Sequence, residues 1–248
     1  MRWIPDPTGR LPLRPHYEKA ELDRLCEARI DAFLRAKHGR IHYPIDTYDL
    51  TILLEQVTDD FDLFADLSSV AATGVRVEGV TTFYRDRRPR VLIARTLSED
   101  PRREVRLRTT LTHELGHVTL HDFVGPGAQP HQLPLFDAPG RAMAPQHCTP
   151  DTGLSAGATD WMEWQAGYCC GAFLMPATAV RGVMRAVHGG MDPSLAARPD
   201  GQWGAHLIDG VRDEFGVSTL AARVRLTQLG YLIDEPARPS LPRVSHHH

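Results

Sequence analysis

No stretch of this 248-residue chain approaches the roughly 20 consecutive apolar residues that span a bilayer, so no membrane-crossing helix is expected. Its four cysteines (Cys26, Cys148, Cys169, Cys170) include no C-x-x-C pair, the spacing of thiolate zinc sites and redox motifs. Cys169 and Cys170 are adjacent, which rarely permits a relaxed disulfide, and the cysteine usage points to a reducing, cytoplasmic compartment. Positive charge is not in excess either. A formal net charge of −3 and a pI near 6.5 argue against a protein whose main task is gripping nucleic acid. The opening residues, MRWIPDPTGRLPLRPH, carry prolines and charges where a signal peptide needs an apolar stretch. Neither an internal repeat nor a low-complexity tract is present. What remains is a chain with 42% hydrophobic residues, enough for one sizeable core or two small ones.

From Tyr17 to about Lys37, Leu22, Leu25, Cys26, Ile30, Phe33 and Leu34 recur at helical spacing. Asp46 can cap a second helix with Leu50, Leu53, Leu54 and Val57 along one stripe. The segment ATGVRVEGVTTFYRDRRPRVLIART then reads as strand, turn, strand. Val75/Val77, Thr82/Tyr84 and Val91/Ile93 alternate, residues 86–89 supply the turn, and Gly79 is the place for a bulge. Ser98 or Asp100 is positioned to cap the next helix, with Pro101 in its first turn.

That helix carries TTLTHELGHVTLHDF, residues 109–123. At about 100° per residue, His117 falls near 40° from His113 and Glu114 near 100°, while Leu107, Leu111, Leu115 and Val118 cluster between about 120° and 200°. One side is therefore apolar, and both histidines share a separate edge one turn apart. That spacing lets two imidazoles reach one tetrahedral ion, with Glu114 beside them as a base. A chance H-E-x-x-H is expected in about one of 25 sequences of this composition, so the amphipathic placement has to decide, and it favours a metal helix. His121 lies about 12 Å along the axis from His113, too far to share the ion, and is expected to support a ligand or lie at the surface. The H-E-x-x-H-x-x-G-x-x-H pattern fails, because Leu120 and Phe123 stand at its last two defined positions.

A third ligand must come from elsewhere, and the best candidate is Glu163 on a fourth helix, DWMEWQAGYCCGAFL. Its small residues Ala166, Gly167, Cys170 and Gly171 would let it pack close to the metal helix. The competing reading makes Asp160 and Glu163 a capping box and the small residues ordinary close packing. Between the two helices lies a long proline- and glycine-rich loop, within which Cys148 or His147 could reach the metal's open position. Near the C-terminus, FGVSTLAARVRLTQLG has the look of a turn between helices, capped by Ser218 or Thr219. Arg212, Arg223 and Arg225 could serve a DNA-binding helix-turn-helix, but Val224, Leu226 and Leu229 form a stripe suited to burial, and direct nucleic-acid binding is not expected. The terminal His246–His248 reads as part of a purification tag and stands outside the metal argument.

H-E-L-G-H-x-x-x-H followed by E-x-Q-A and, after seven intervening residues, L-M-P resembles the ImmA/IrrE family of metallopeptidases. The likeness runs from about Tyr43 to Leu232 and includes RVLIA before the metal helix and the late FGVSTLAARVRLTQLG. The resemblance implies an α+β, gluzincin-like zincin core with a small β-sheet, an HEXXH helix and a C-terminal helical segment. It implies Zn2+ held by His113, His117 and Glu163, with Glu114 as catalytic base. It also implies a sheet edge that pairs with an extended substrate, and a protein partner such as a helix-turn-helix DNA-binding repressor that the enzyme cleaves. On that basis residues 1–40 form an N-terminal extension and residues 41–203 the peptidase core, with 124–159 as its long loop. Residues 204–235 form the helical appendage and 236–248 a tail. The donor to the oxyanion stays open among Tyr84, Tyr168, His121, His131 and His147. Two other classes stay open as well: a non-catalytic zinc module that binds a partner, and a zinc hydrolase of a small molecule.

Overall fold

The computed structural model describes residues 1–9, 11–70, 76–84, 86–122, 146–148, 160–188 and 196–233. The proline-punctuated opening is extended, as its composition requires. Strands β1 (Arg2–Pro5) and β2 (Leu13–His16) pair antiparallel, with Trp3 opposite Pro15. Helix α1 (Lys19–His38) starts at a capping box in which Glu18 and Glu21 satisfy each other's backbone, and its inward stripe is Leu22, Cys26, Ile30 and Leu34. Helix α2 (Thr47–Glu55) begins where expected, with the Asp46 carboxylate accepting from the Asp49 amide at 2.7 Å.

Four strands form the second sheet: β3 (Asp60–Ala65), β4 (Gly79–Thr82), β5 (Arg90–Ala94) and β6 (Gln146–Cys148), in the order β3-β5-β4-β6. β3 runs parallel to β5, and β4 is antiparallel to both β5 and β6. The expected hairpin is present as β4 and β5, but its first strand is shorter than the alternation suggested. Tyr84 lies past its end, and Val75 lies outside the described residues. Gly79 makes no bulge: the ladder is regular through Gly79↔Ile93, Val80↔Leu92 and Thr81↔Val91. β3 is not among the expected strands: the alternation of Asp60 to Leu63 is short and breaks at Phe64, an apolar side chain on the exposed side.

A short helix α3 (Arg95–Ser98) and a 3-10 turn at Pro101–Arg103 lead into α4 (Glu104–Leu120). Of the two expected caps, Asp100 is the one used, accepting from the Arg102 amide at 3.0 Å. Helices α5 (Trp161–Leu174), α6 (Ala177–His188), α7 (Gln202–Phe215) and α8 (Thr219–Gln228) complete an α+β arrangement of eight helices and two small sheets among the described residues. One continuous hydrophobic core includes residues from Leu22 to Leu232. Ser218 caps α8, with its hydroxyl accepting from the Ala221 amide at 3.1 Å. Arg225, on the same helix, is fully buried and donates to Asp23 (2.7 Å) and to the Met175 carbonyl (3.0 Å), so it is spent inside the protein. Arg212 pairs at the surface with Asp209 and Asp213. Arg108 of α4 donates to the carbonyls of Phe215 and Gly216, where Gly216 closes α7 at φ 57°, a conformation that favours glycine. No helix among the described residues is long and apolar enough to cross a membrane.

Candidate metal centre

α4 is buried on nearly every side from Leu107 to Leu120, so its polar edge faces protein. His113, Glu114 and His117 all have zero exposure. Side chains one helical turn apart point the same way, and here the two Nε2 atoms meet at 3.1 Å. Glu163 closes the triangle, with Oε2 3.2 Å from His113 Nε2 and Oε1 3.2 Å from His117 Nε2. Donors at about 2.0–2.1 Å from a tetrahedral ion are separated by about 3.3 Å, so this spacing fits a single small cation. The donor chemistry fits as well, with two borderline imidazoles and one carboxylate. His113, His117 and Glu163 thus form a buried group that could hold a metal.

The close approach of α5 brings Glu163 there. Gly116 of α4 faces Ala166 and Cys169 so tightly that an added Cβ would lie 3.1 Å from the Ala166 backbone. Asp160 caps α5 by accepting from the amides of Met162 (3.1 Å) and Glu163 (3.4 Å). The Glu163 carboxylate itself turns to both histidines, which separates the ligand reading from the capping-box reading. Burial alone would raise the Glu163 carboxyl, but His117 and His113 together hold it well below the usual carboxylate range. His117 is shifted the other way: burial lowers it, and Glu163 more than offsets that and raises it.

Glu114 does not join the triangle. Its carboxylate lies against β4, where Thr81 Oγ1 donates to Oε2. Residues 79 and 81 share one face of the strand by its two-residue period, and that face is turned to Glu114. A Cβ built on Gly79 would lie 2.3 Å from Glu114 Oε1. The glycine is there to let the carboxylate reach its place. Burial pushes the Glu114 carboxyl up to about 7, the nearby His117 and the Thr81 hydroxyl pulling the other way. Gly79→Ala must displace this carboxylate. It is expected to lower any hydrolysis that depends on Glu114 by about 10²-fold while leaving the His113/His117/Glu163 group able to bind metal, checked by steady-state rates alongside metal stoichiometry.

His121 is fully buried and supports His117 rather than lying at the surface. With His117 Nε2 turned to the metal position, its Nδ1 carries the proton and donates to His121 Nδ1 at 3.1 Å. His121 Nε2 then donates to Gln165 Oε1 (3.1 Å), and Gln165 Nε2 to the Pro15 carbonyl (3.0 Å). Each link leaves one tautomer for the next. Burial, with His117 beside it, pushes the His121 imidazole well below the ordinary histidine range, consistent with a neutral ring. The relay ends on β2, and the N-terminal segment encloses it further. Asp6 accepts from Trp161 Nε1 at 3.1 Å, Leu11 packs with Phe83, Trp161 and Met162, and the Trp161 ring lies edge-on to His121. Gln165→Ala is expected to weaken metal binding by about 10–100-fold, read by competition with a chromophoric chelator.

Of the oxyanion candidates, His121 is committed to this relay, and the Tyr168 hydroxyl donates to Asp23 at 3.0 Å on another face of α5. Arg87 stacks over the Tyr84 ring. His131 and the side chain of His147 lie outside the described residues. Cys148 is fully buried, and its ligand atom, one of Glu114 and one of His113 lie within 4.8 Å of one another. Thr81 and Pro15 carry no sequence signal, because each acts through a fold contact rather than a motif, and Gly79 signals a strand irregularity without its partner. Gln165 stood inside the quoted E-x-Q-A. A second group, His38, His42 and Asp49, has similar spacing, but Lys37 Nζ and His38 Nε2 already engage both Asp49 oxygens. No protein-family model matches the chain, and no curated protein is significantly similar to it.

Proposed function

We propose that the chain is a zinc-dependent metalloendopeptidase of the ImmA/IrrE type, with His113, His117 and Glu163 as ligands and Glu114 as general base. The observation that carries this reading is Glu114. A site that only stabilised a fold would need three or four donors. It would have no use for a further buried carboxylate, raised toward neutrality and seated by Thr81 and Gly79 beside those donors. Three protein donors also leave one position open, as catalytic zinc sites do.

When bound, a zinc ion supplies Lewis acidity, polarising a carbonyl and lowering the pKa of water from about 15.7 toward about 7. The protein's own groups do the rest. Glu114 accepts the proton of the attacking water and returns it to the leaving amine, a role whose ideal pKa lies near the working pH. Thr81 holds one carboxylate oxygen and leaves Oε1 for that proton. His121, Gln165 and Pro15 hold His117 in the tautomer that presents its Nε2 lone pair. β4 has β5 along one side, and its other side, along which β6 lies here, is the edge at which an extended peptide would add to the sheet. The motif pair H-E-L-G-H and E-x-Q-A…L-M-P supports a cytoplasmic protein substrate, a helix-turn-helix repressor by the family resemblance.

The enclosure of the donors, with both histidines at zero exposure, favours the one competing reading: a zinc module that binds a partner without cutting it. Comparing protein N-termini across cells that express wild type or Glu114→Gln separates the two. New termini confined to wild type establish the peptidase and name its substrate. Identical profiles, repeated under DNA damage and oxidative stress, would count against the peptidase.

A further inference from the structure

β4 has two edges. One is taken by β5; the other, on the reading above the substrate's edge, is taken by the chain's own β6. β6 runs antiparallel, with Gly79 opposite Cys148, Val80 opposite His147 and Thr81 opposite Gln146, and the Glu78 amide donates to the Cys148 carbonyl at 2.9 Å. Directly opposed residues point to the same face of a sheet. Gly79's face is the one that Glu114 covers, because Oε1 lies 2.3 Å from where the glycine's Cβ would be. The Cys148 side chain therefore projects from the sheet toward Glu114 and His113, fully buried, with one ligand atom of each of the three within 4.8 Å of the others, a group that shares His113 with the ligand triangle. A second feature marks the same spot as incomplete: Glu114 Oε1, also fully buried, has no hydrogen-bond partner among the described residues. A buried carboxylate oxygen of that kind normally faces a cation, a donor or water.

We propose that β6 is a built-in inhibitory strand, lying where a peptide substrate would pair, and that Cys148 Sγ takes the metal's fourth position as a thiolate. The inference rests on the zinc reading and adds its regulation. Ligation breaks the S–H bond, releases that proton to solvent and forms the sulfur–metal bond in place of water. No electrons change hands. In this state the enzyme is latent: the position that hydrolysis needs for water is filled, and the substrate's edge is paired. Withdrawal of three residues from the sheet frees both at once.

Cobalt(II) alone is the probe, added to the full-length metal-free protein. Thiolate ligation gives a near-ultraviolet charge-transfer band, and four-coordinate cobalt with nitrogen and oxygen donors gives visible bands only. The expected result is both sets of bands in wild type and in a Cys170→Ser control, with loss of the near-ultraviolet band alone in Cys148→Ser. Peptide hydrolysis by zinc-loaded Cys148→Ser is expected to exceed wild type by tenfold or more. Visible bands without the near-ultraviolet band in wild type overturn the latch and leave the metal site standing. A near-ultraviolet band that persists in Cys148→Ser also overturns it. No cobalt bands of either kind would overturn the metal site, and the latch with it. Should Cys148→Ser not fold, Cys148→Ala and the wild-type spectrum give the same decision.

Discussion

Glu114→Gln is expected to bind metal as wild type does and to lose peptide hydrolysis by about 10²–10⁴-fold, the range that general acid–base catalysis contributes. Glutamine keeps the shape of the side chain, so it still lies against Gly79 and next to Thr81 and leaves the three donors on α4 and α5 undisturbed. It cannot take a proton. A parallel fall in metal stoichiometry would instead make Glu114 a structural or ligand residue. The same substitution has a signature that needs no substrate. The folded-state Glu114 carboxyl is raised to about 7 from an ordinary 4.5. A group raised in this way contributes stability that is fully present below its unfolded value and is lost as pH rises through its folded value. Metal-free wild type should therefore lose stability relative to Glu114→Gln between about pH 4.5 and pH 7, on the order of 3 kcal/mol. Glu163 and His117, shifted in opposite directions, remain in both proteins and cancel to first order in the comparison. Urea unfolding in chelator at pH 5 and pH 8 reads the difference, and a pH-independent gap would mean that the buried carboxylate ionises without penalty.

Metal removal should have the second large effect. Zinc at 1,000 times its dissociation constant is expected to stabilise the folded chain by about 4 kcal/mol, and a chelator to reverse it. At about 2–4 °C per kcal/mol for a chain of this size, the melting midpoint moves by about 8–16 °C. His117→Ala should abolish the shift, since it removes the residue that touches both other donors and anchors the relay to Pro15. This control matters because His38, His42 and Asp49, and separately the three C-terminal histidines, offer alternative ligands. A shift of equal size in His117→Ala would move the metal to one of those.

The helix-borne half of the site is legible in the sequence because a helix converts spacing into direction. His113 and His117, four apart beside an apolar stripe, could only share an edge, and the Nε2 atoms do meet. Asp46, Asp100 and Ser218 could be read as caps for the same reason, being local. The Glu163 side chain was ambiguous, because a capping box and a ligand require the same residue at the same place, and only the approach of α4 separates them. Gly79 invited a bulge, since a glycine in a strand sequence tells of unusual local geometry. Its reason lies 35 residues away in Glu114, which no period reports. β3, β6 and the N-terminal hairpin were illegible for a related cause. Each is short, and each is held by partners distant in sequence.

The relay from His117 through His121 and Gln165 ends on the carbonyl of Pro15, a residue that belongs to no motif. A carbonyl makes the same hydrogen bond whichever side chain its residue carries, so selection at this end of the relay falls on the path of the chain and leaves little trace in residue identity. Two chains that share every letter of H-E-L-G-H and E-x-Q-A can therefore differ in how firmly His117 is held, according to whether an N-terminal hairpin folds back over Trp161. For this chain, a truncation drawn at the start of α1 would retain His113, His117 and Glu163 and remove the acceptor on which the relay behind His117 ends.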